Sequence, residues 1–246
     1  MNKISCSILL IIVFSAHVYS QENAAPEHTK SVALKFAPAG LAAGKITFGG
    51  EYNFRHRNSF TFIAGVPCEK TNTITYDGMK SDVTAKAFSL MAGYRHYLGR
   101  KTMSGFYIEP YLKYLKQDAN GLIKKELQGQ TAIFDTHAHY EGVGIGAQLG
   151  VQVMIAKRVA FDFFVLGPEA NSSKVSTVST DITDNLGWSF ADEQQVKTDI
   201  KNNLKDIPVI GRKILVKVDT EKKTVLTNYS GFIPGLRVGA SIGIRF

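Results

Sequence analysis

The stretch Gly142-Val143-Gly144-Ile145-Gly146-Ala147-Gln148-Leu149-Gly150-Val151-Gln152-Val153-Met154-Ile155 decides the fold. Every odd position from Val143 to Ile155 is apolar, while the even positions carry Gly142, Gly144, Gly146, Gln148, Gly150, Gln152 and Met154. A repeat of two is that of a strand whose faces meet different surroundings. The C-terminal stretch repeats it with opposite parity. Leu236, Val238, Ala240, Ile242, Ile244 and Phe246 share one face, and Arg237, Gly239, Ser241, Gly243 and Arg245 share the other. Both runs exceed the roughly five or six residues usual in soluble sheets.

Working outward, weaker alternation marks six further runs, at Val32–Phe36, Lys45–Phe54, Ser59–Val66, Ala85–Leu98, Gly105–Leu115 and Val159–Leu166, which predicts eight strands. The links come in two kinds. Arg55–Asn58, Gly99–Ser104 and Ala156–Arg158 are tight; Pro67–Asp82, Lys116–Tyr140 and Pro168–Ile233 are long, and only Ala37–Gly44 breaks the pattern. Short turns at one end and long loops at the other are what a transmembrane barrel requires. An even strand count places both termini at the end with the tight turns.

The last link, residues 168–233, reads as a long extracellular loop with structure of its own. Ser189 is a suitable N-cap, Asp192 and Glu193 favour a helix N-terminus, Pro208 stops the helix, and Val196, Ile200 and Leu204 fall on one face. Lys213–Val218 and Lys223–Thr227 read as a hairpin. Each arm is shorter than the roughly 9–11 residues needed to cross a bilayer, so the hairpin belongs outside; a ten-stranded barrel is the alternative.

Residues 1–20 stand apart. Lys3, the apolar run Ile8–Phe14 and the small-residue site ending at Ser20 form a cleavable secretory signal, followed by a polar leader over residues 21–30. The apolar run is too short for a membrane helix. Cys6 lies ahead of it, badly placed for lipidation, so Cys68 remains alone and no intramolecular disulfide can form. Removing the signal takes one lysine from a formal charge of +8. An exported basic chain meets anionic lipid head groups rather than nucleic acid.

Binary alternation does not separate a membrane barrel from a soluble periplasmic carrier of lipocalin type, which wears the same pattern inside out. The charges do. With the apolar face outward, Lys35, Lys45, Glu51, Arg95, Glu109, Lys113, Asp162, Arg237 and Arg245 gather in one lumen, where opposite signs pair. With it inward, Gly142–Met154 gives the outer surface no charge at all. The strand glycines leave space for bulky lumen neighbours, since eight strands enclose little more than side chains. Tyr52, Phe54, Tyr94, Phe106, Tyr114 and Phe246 sit near the run ends, where interfacial aromatic girdles belong.

The strand Gly235–Phe246, the segment Gly105-Phe106-Tyr107-Ile108-Glu109-Pro110-Tyr111 and the glycine-alternating strand at Gly142 resemble the small OmpA/OmpX-like outer-membrane β-barrels, as a lineage-specific branch. The likeness covers most of the chain from Ser31, apart from the last loop. It implies an all-β, eight-stranded antiparallel up-and-down barrel over residues 31–246 in a bacterial outer membrane. It also implies that Phe246, with Leu236, Val238, Ala240, Ile242 and Ile244, is read by the barrel-insertion machinery. It supplies no catalytic residue.

Other motifs carry less. Gly239-Ala240-Ser241-Ile242-Gly243 matches G-x-S-x-G, but no helix can follow within three residues, so Ser241 reads as a strand residue. The glycines from Gly142 lack the spacing and the strand-then-helix context of a dinucleotide loop. Asp135, His137 and His139 would share one face of an extended segment, as zinc ligands or as plain polar loop residues. His96, His137 and His139 are the bases available to a lipid-modifying enzyme, and no spacing selects among them. No cofactor is expected. Lys124, Lys125, Lys197, Lys201, Lys205, Arg212, Lys213, Lys222 and Lys223 are placed to meet lipopolysaccharide phosphates or an extracellular partner. The expectation is a non-enzymatic barrel with a plugged interior and a structural or surface-interaction role in its outer loops. A lipid-modifying barrel enzyme and the soluble carrier are the alternatives.

Overall fold

A computed structural model of the chain describes residues 30–76, 78–127, 130–183, 194, 196–198 and 213–246. The signal segment and most of the residues expected to form the helix, Ile200 and Leu204 among them, lie outside these. Gln194 and Val196–Thr198 are helical, and Val196 is buried.

Ten strands form one antiparallel sheet: β1 (Ser31–Ala37), β2 (Lys45–Arg55), β3 (Asn58–Pro67), β4 (Lys70–Tyr76), β5 (Met79–Tyr97), β6 (Gly105–Leu127), β7 (Gln130–Ile155), β8 (Val159–Asp181), β9 (Leu215–Asp219) and β10 (Thr224–Arg245). The pairing runs β1-β2-β3-β5-β6-β7-β8-β10, and β10 returns to β1, which closes the sheet into a barrel. Beside this ring, among the described residues β4 pairs only with β5, and β9 only with β10. A 3-10 helix over Pro38–Ala43 joins β1 to β2 and ends on Gly44, whose φ of 73° is left-handed. Gly44 touches β5, and its carbonyl accepts the amides of Cys68 and Ala87.

Closure brings the two ends of the barrel together. Val32 and Phe246 exchange backbone hydrogen bonds, and the Arg245 amide reaches the Arg158 carbonyl, so both barrel termini lie with the tight turns. The Ala156–Lys157 turn has positive φ at both residues, the geometry of a type I′ hairpin, without the Asn-Gly that usually announces it.

The long links are corrected in one respect. Residues placed in loops at 67–82, 116–140 and 168–233 are in large part strand: β4 and β5 fill most of the first, β6 and β7 run on through most of the second, and β8 extends to Asp181 opposite β10. These extensions pair far beyond the length that crosses a bilayer. The wall from β5 through β8 to β10 therefore stands taller than the side made by β1, β2 and β3. The hairpin is present, with β9 as one arm, but its second arm is the upper end of β10.

β8 explains why the sequence pattern ended early. Pairing jumps from Gly239↔Phe164 to Arg237↔Gly167 on one side and from Leu149↔Val165 to Gly146↔Glu169 on the other, with Leu166 at φ 56°. This is a bulge, one extra residue that reverses which side chains point inward. Below it Ala160, Asp162 and Phe164 are buried; above it Glu169, Asn171 and Ser173 are.

The glycines of β7 make room for interior side chains. A Cβ on Gly150 would sit 2.3 Å from the Tyr107 ring and 2.7 Å from the Phe163 carbonyl. Tyr107 cannot retreat, because it is buried and its hydroxyl donates to Asp162 at 2.6 Å. Gly150→Ala is expected to destabilise the barrel by about 1–3 kcal/mol, as overpacking does. Gly50→Ala, where nothing lies within 4 Å, should stay within about 0.5 kcal/mol of the parent. Urea midpoints read from folded and unfolded gel bands compare the two.

Candidate functional site

The interior is layered. At the tight-turn end Ala33, Tyr97, Met103 and Tyr107 form a fully buried apolar floor. Met103, at φ 54°, comes from the turn between β5 and β6, and its carbonyl accepts a hydrogen bond from Gln152 Nε2 at 2.9 Å.

Above the floor lies an ionic cluster centred on Arg95 of β5, which is 2 % exposed. Its Nη1 reaches Asp162 Oδ2 at 2.8 Å, Gln152 Oε1 at 2.9 Å and Glu51 Oε2 at 3.2 Å. Its Nη2 lies 2.6 Å from Glu109 Oε2, and its guanidinium stacks 3.7 Å above the Tyr107 ring. Lys35 Nζ adds contacts to Glu51 (2.6 Å), Gln152 (2.5 Å) and Asp162 (2.8 Å). Tyr97 donates to Glu51 at 2.7 Å, and Thr61 and Gln148 donate to Glu109 at 2.5 and 2.9 Å. Two cations and three carboxylates from β1, β2, β5, β6 and β8 thus meet, with neutral donors satisfying the remaining oxygens, as buried charge requires.

A second cluster lies nearer the long-link end. Lys113 pairs with Glu169, which also accepts from Tyr111 at 3.0 Å. Lys45 donates to Ser89 Oγ at 2.9 Å. Arg237 donates to the Met91 sulfur and lies over the rings of Phe164 (4.7 Å) and Tyr111 (5.5 Å). A cavity of about 370 Å³ opens beside them beneath the 3-10 helix.

Of the lumen residues expected from the sequence, Lys35, Glu51, Arg95, Glu109 and Asp162 come together in the lower cluster. Lys45, Lys113 and Arg237 lie in the upper one. Arg245 is partly buried at the turn end and makes no ion pair among the described residues. Tyr97 and Tyr107 were legible from parity, since they alternate in step with Arg95 on β5 and Glu109 on β6, as were Gln148 and Gln152 from the even face of β7. Glu169 was not, because the β8 bulge breaks the phase.

The histidines do not converge. His96 meets Asn58 at 2.7 Å. His137 lies 3.0 Å from Asn120 and 3.3 Å from Asp135, whereas His139 meets Asp118 at 2.6 Å. That bond holds the half-buried Asp118 carboxyl below its ordinary value. Asp135 and His137 thus meet each other while His139 engages Asp118, and no group of three metal-ligating side chains stands close enough to hold an ion among the described residues.

The outer face is apolar over the same height. Val143, Ile145, Leu149, Val153 and Ile155 of β7, Phe163 and Val165 of β8, and Leu236, Val238, Ile242, Ile244 and Phe246 at the C-terminus are all exposed. Fold and interior together define a class: a closed antiparallel β-barrel, ionic inside and apolar outside. Among solved structures the chain is similar to the crystal structures of CarO2 and CarO of Acinetobacter baumannii. The first has TM-score 0.47 at 12% identity, over 90% of this chain and 99% of that one; the second has 0.42 at 10%, over 91% and 99%. No protein-family model and no curated protein matches the sequence.

Proposed function

We propose that the chain is an integral barrel of a bacterial outer membrane, crossed by the eight ring strands, with a plugged interior and a structural or surface-interaction role carried by its outer wall. The observation that carries this reading is the inversion of solvent preference. Arg95, Glu51 and Glu109 are at most 2 % exposed, while Leu236, Val238, Phe106 and Ile145 are more than 60 % exposed. Water would favour the reverse, and hydrocarbon favours this arrangement. It also opposes the soluble carrier, whose cargo needs an apolar interior.

Two aromatic groups fit the girdles. Phe54, Phe60 and Tyr94 pack with centroids 4.7–6.2 Å apart near the tight turns, and Phe88 and Tyr114 meet at 6.3 Å near the other boundary. The tight turns then face the periplasm. The tall wall, edged by β4 and β9, stands outside, with Lys124, Lys213, Lys222 and Lys223 available to lipopolysaccharide phosphates or an extracellular partner. The lower ionic cluster and the Met103 floor close the bore to general diffusion. The outward row Leu236–Phe246 is offered to the insertion machinery.

In fractionated cells the chain is expected in the outer membrane after carbonate extraction. It should also migrate faster on a gel before boiling than after. Recovery as a detergent-free soluble monomer would overturn the reading.

A further inference from the structure

The two ionic clusters differ in one respect. In the lower, every cation faces more than one carboxylate. In the upper, Lys45, Lys113 and Arg237 share a single carboxylate, Glu169, which Lys113 already takes. Lys45 is left with a serine hydroxyl, and Arg237 with a thioether and two aromatic faces. Cations withdrawn from bulk water are held by anions, and for these two no carboxylate stands within ion-pair distance among the described residues. The same wall carries Thr47, 6 % exposed, whose Oγ1 is buried without a hydrogen-bond partner. The cavity these groups line, about 370 Å³, falls within the roughly 300–1,000 Å³ typical of ligand pockets.

Among the described residues the barrel wall is incomplete beside that cavity. β8 covers one edge of β10 along nearly its whole length. On the other edge β9 ends its pairing at Asn228, and β1 begins only at Ile242 opposite Phe36, because the chain turns off into the 3-10 helix after Ala37. From Tyr229 to Ser241 no strand pairs this edge among the described residues. Pro234, which has no amide to donate, falls within the gap, where an edge tolerates it. Unpaired backbone at membrane depth is tolerated where it lines a cavity. Leu236, Val238 and Ala240 border the cavity at the gap, and the first two point outward among the exposed apolar side chains.

We propose that this cavity binds an amphipathic carboxylic acid. The carboxylate sits between Lys45 and Arg237 within reach of Thr47, and the hydrocarbon tail leaves sideways past Leu236 and Val238, between β10 and the 3-10 helix. The head-group site rests only on the barrel's interior; the sideways exit rests on the membrane reading above, which fractionation tests separately.

Equilibrium dialysis of the full barrel in a non-ionic detergent, with labelled dodecanoate, dodecanol, acetate or inorganic phosphate, tests it. One saturable dodecanoate site is expected, with dodecanol and acetate at least tenfold weaker. Lys45→Gln/Arg237→Gln should weaken dodecanoate at least tenfold, and Lys45→Arg/Arg237→Lys should retain it, with heat-dependent migration confirming that each variant is folded. Val238→Trp, which narrows the exit, should weaken dodecanoate but leave acetate unchanged. Dodecanoate uptake equal in parent and Gln variants would mean partition into the micelle and would overturn the site. Acetate or phosphate binding as tightly as dodecanoate, or indifference to Val238→Trp, would overturn the lateral tail route.

Discussion

Arg95→Met is expected to cost the barrel about 3–5 kcal/mol, the range for removing one partner of a buried ion pair. Glu109 loses most, since Arg95 is its only ion-pair partner among the described residues, whereas Glu51 and Asp162 keep Lys35. The cost is therefore not the bond energy of a guanidinium but the stranding of a buried carboxylate. Glu109→Gln alone should cost less, about 1–3 kcal/mol, because Arg95 retains Asp162 and Glu51. The double variant should recover part of the loss, with a coupling of more than about 1 kcal/mol. Urea titrations of the folded gel band in lipid vesicles measure the cycle. Additive losses would mean that Arg95 contributes by bulk packing over Tyr107 and not by charge.

Leu149→Arg is the second large effect. Leu149 lies midway along the outward row of β7 from Val143 to Ile155, is 46 % exposed, and its neighbour Gln148 is buried. In water such a change would alter stability by about 0.5 kcal/mol or less. At the middle of a bilayer it should cost about 2–4 kcal/mol, falling to about 0–1 near the interface. Ile155→Arg, beside the Ala156–Lys157 turn, is the shallow control. A depth-dependent difference measured in vesicles tests the orientation directly; equal, small effects at both positions would sink the membrane reading.

The tight turns, the ring strands and the inward face of β7 and β10 were legible because a strand exposed to two solvents writes its environment at every second residue. The glycine run of β7 was interpretable for the same reason: Gly146 makes room for Tyr111 and Gly150 for Tyr107. The strand extensions were not legible. Beyond the apolar band of β6, Lys116, Asp118 and Asn120 alternate with Gln117, Ala119 and Gly121, which make no apolar row, so the period disappears although the backbone pairing with β7 continues.

Sequence alone determined the antiparallel all-β wall and its polarity, and it pointed to most of the charges that lie inside, Glu169 excepted, because parity is a local property of an extended chain. Only the tertiary structure decided how those charges divide. The β8 bulge at Leu166 turns Glu169 inward to meet Lys113, while the 3-10 turn at Pro38 ends β1 early and leaves the edge of β10 open beside Lys45 and Arg237. Both effects arise from strand register and closure, which set neighbours far apart in sequence and which no repeat of two can encode.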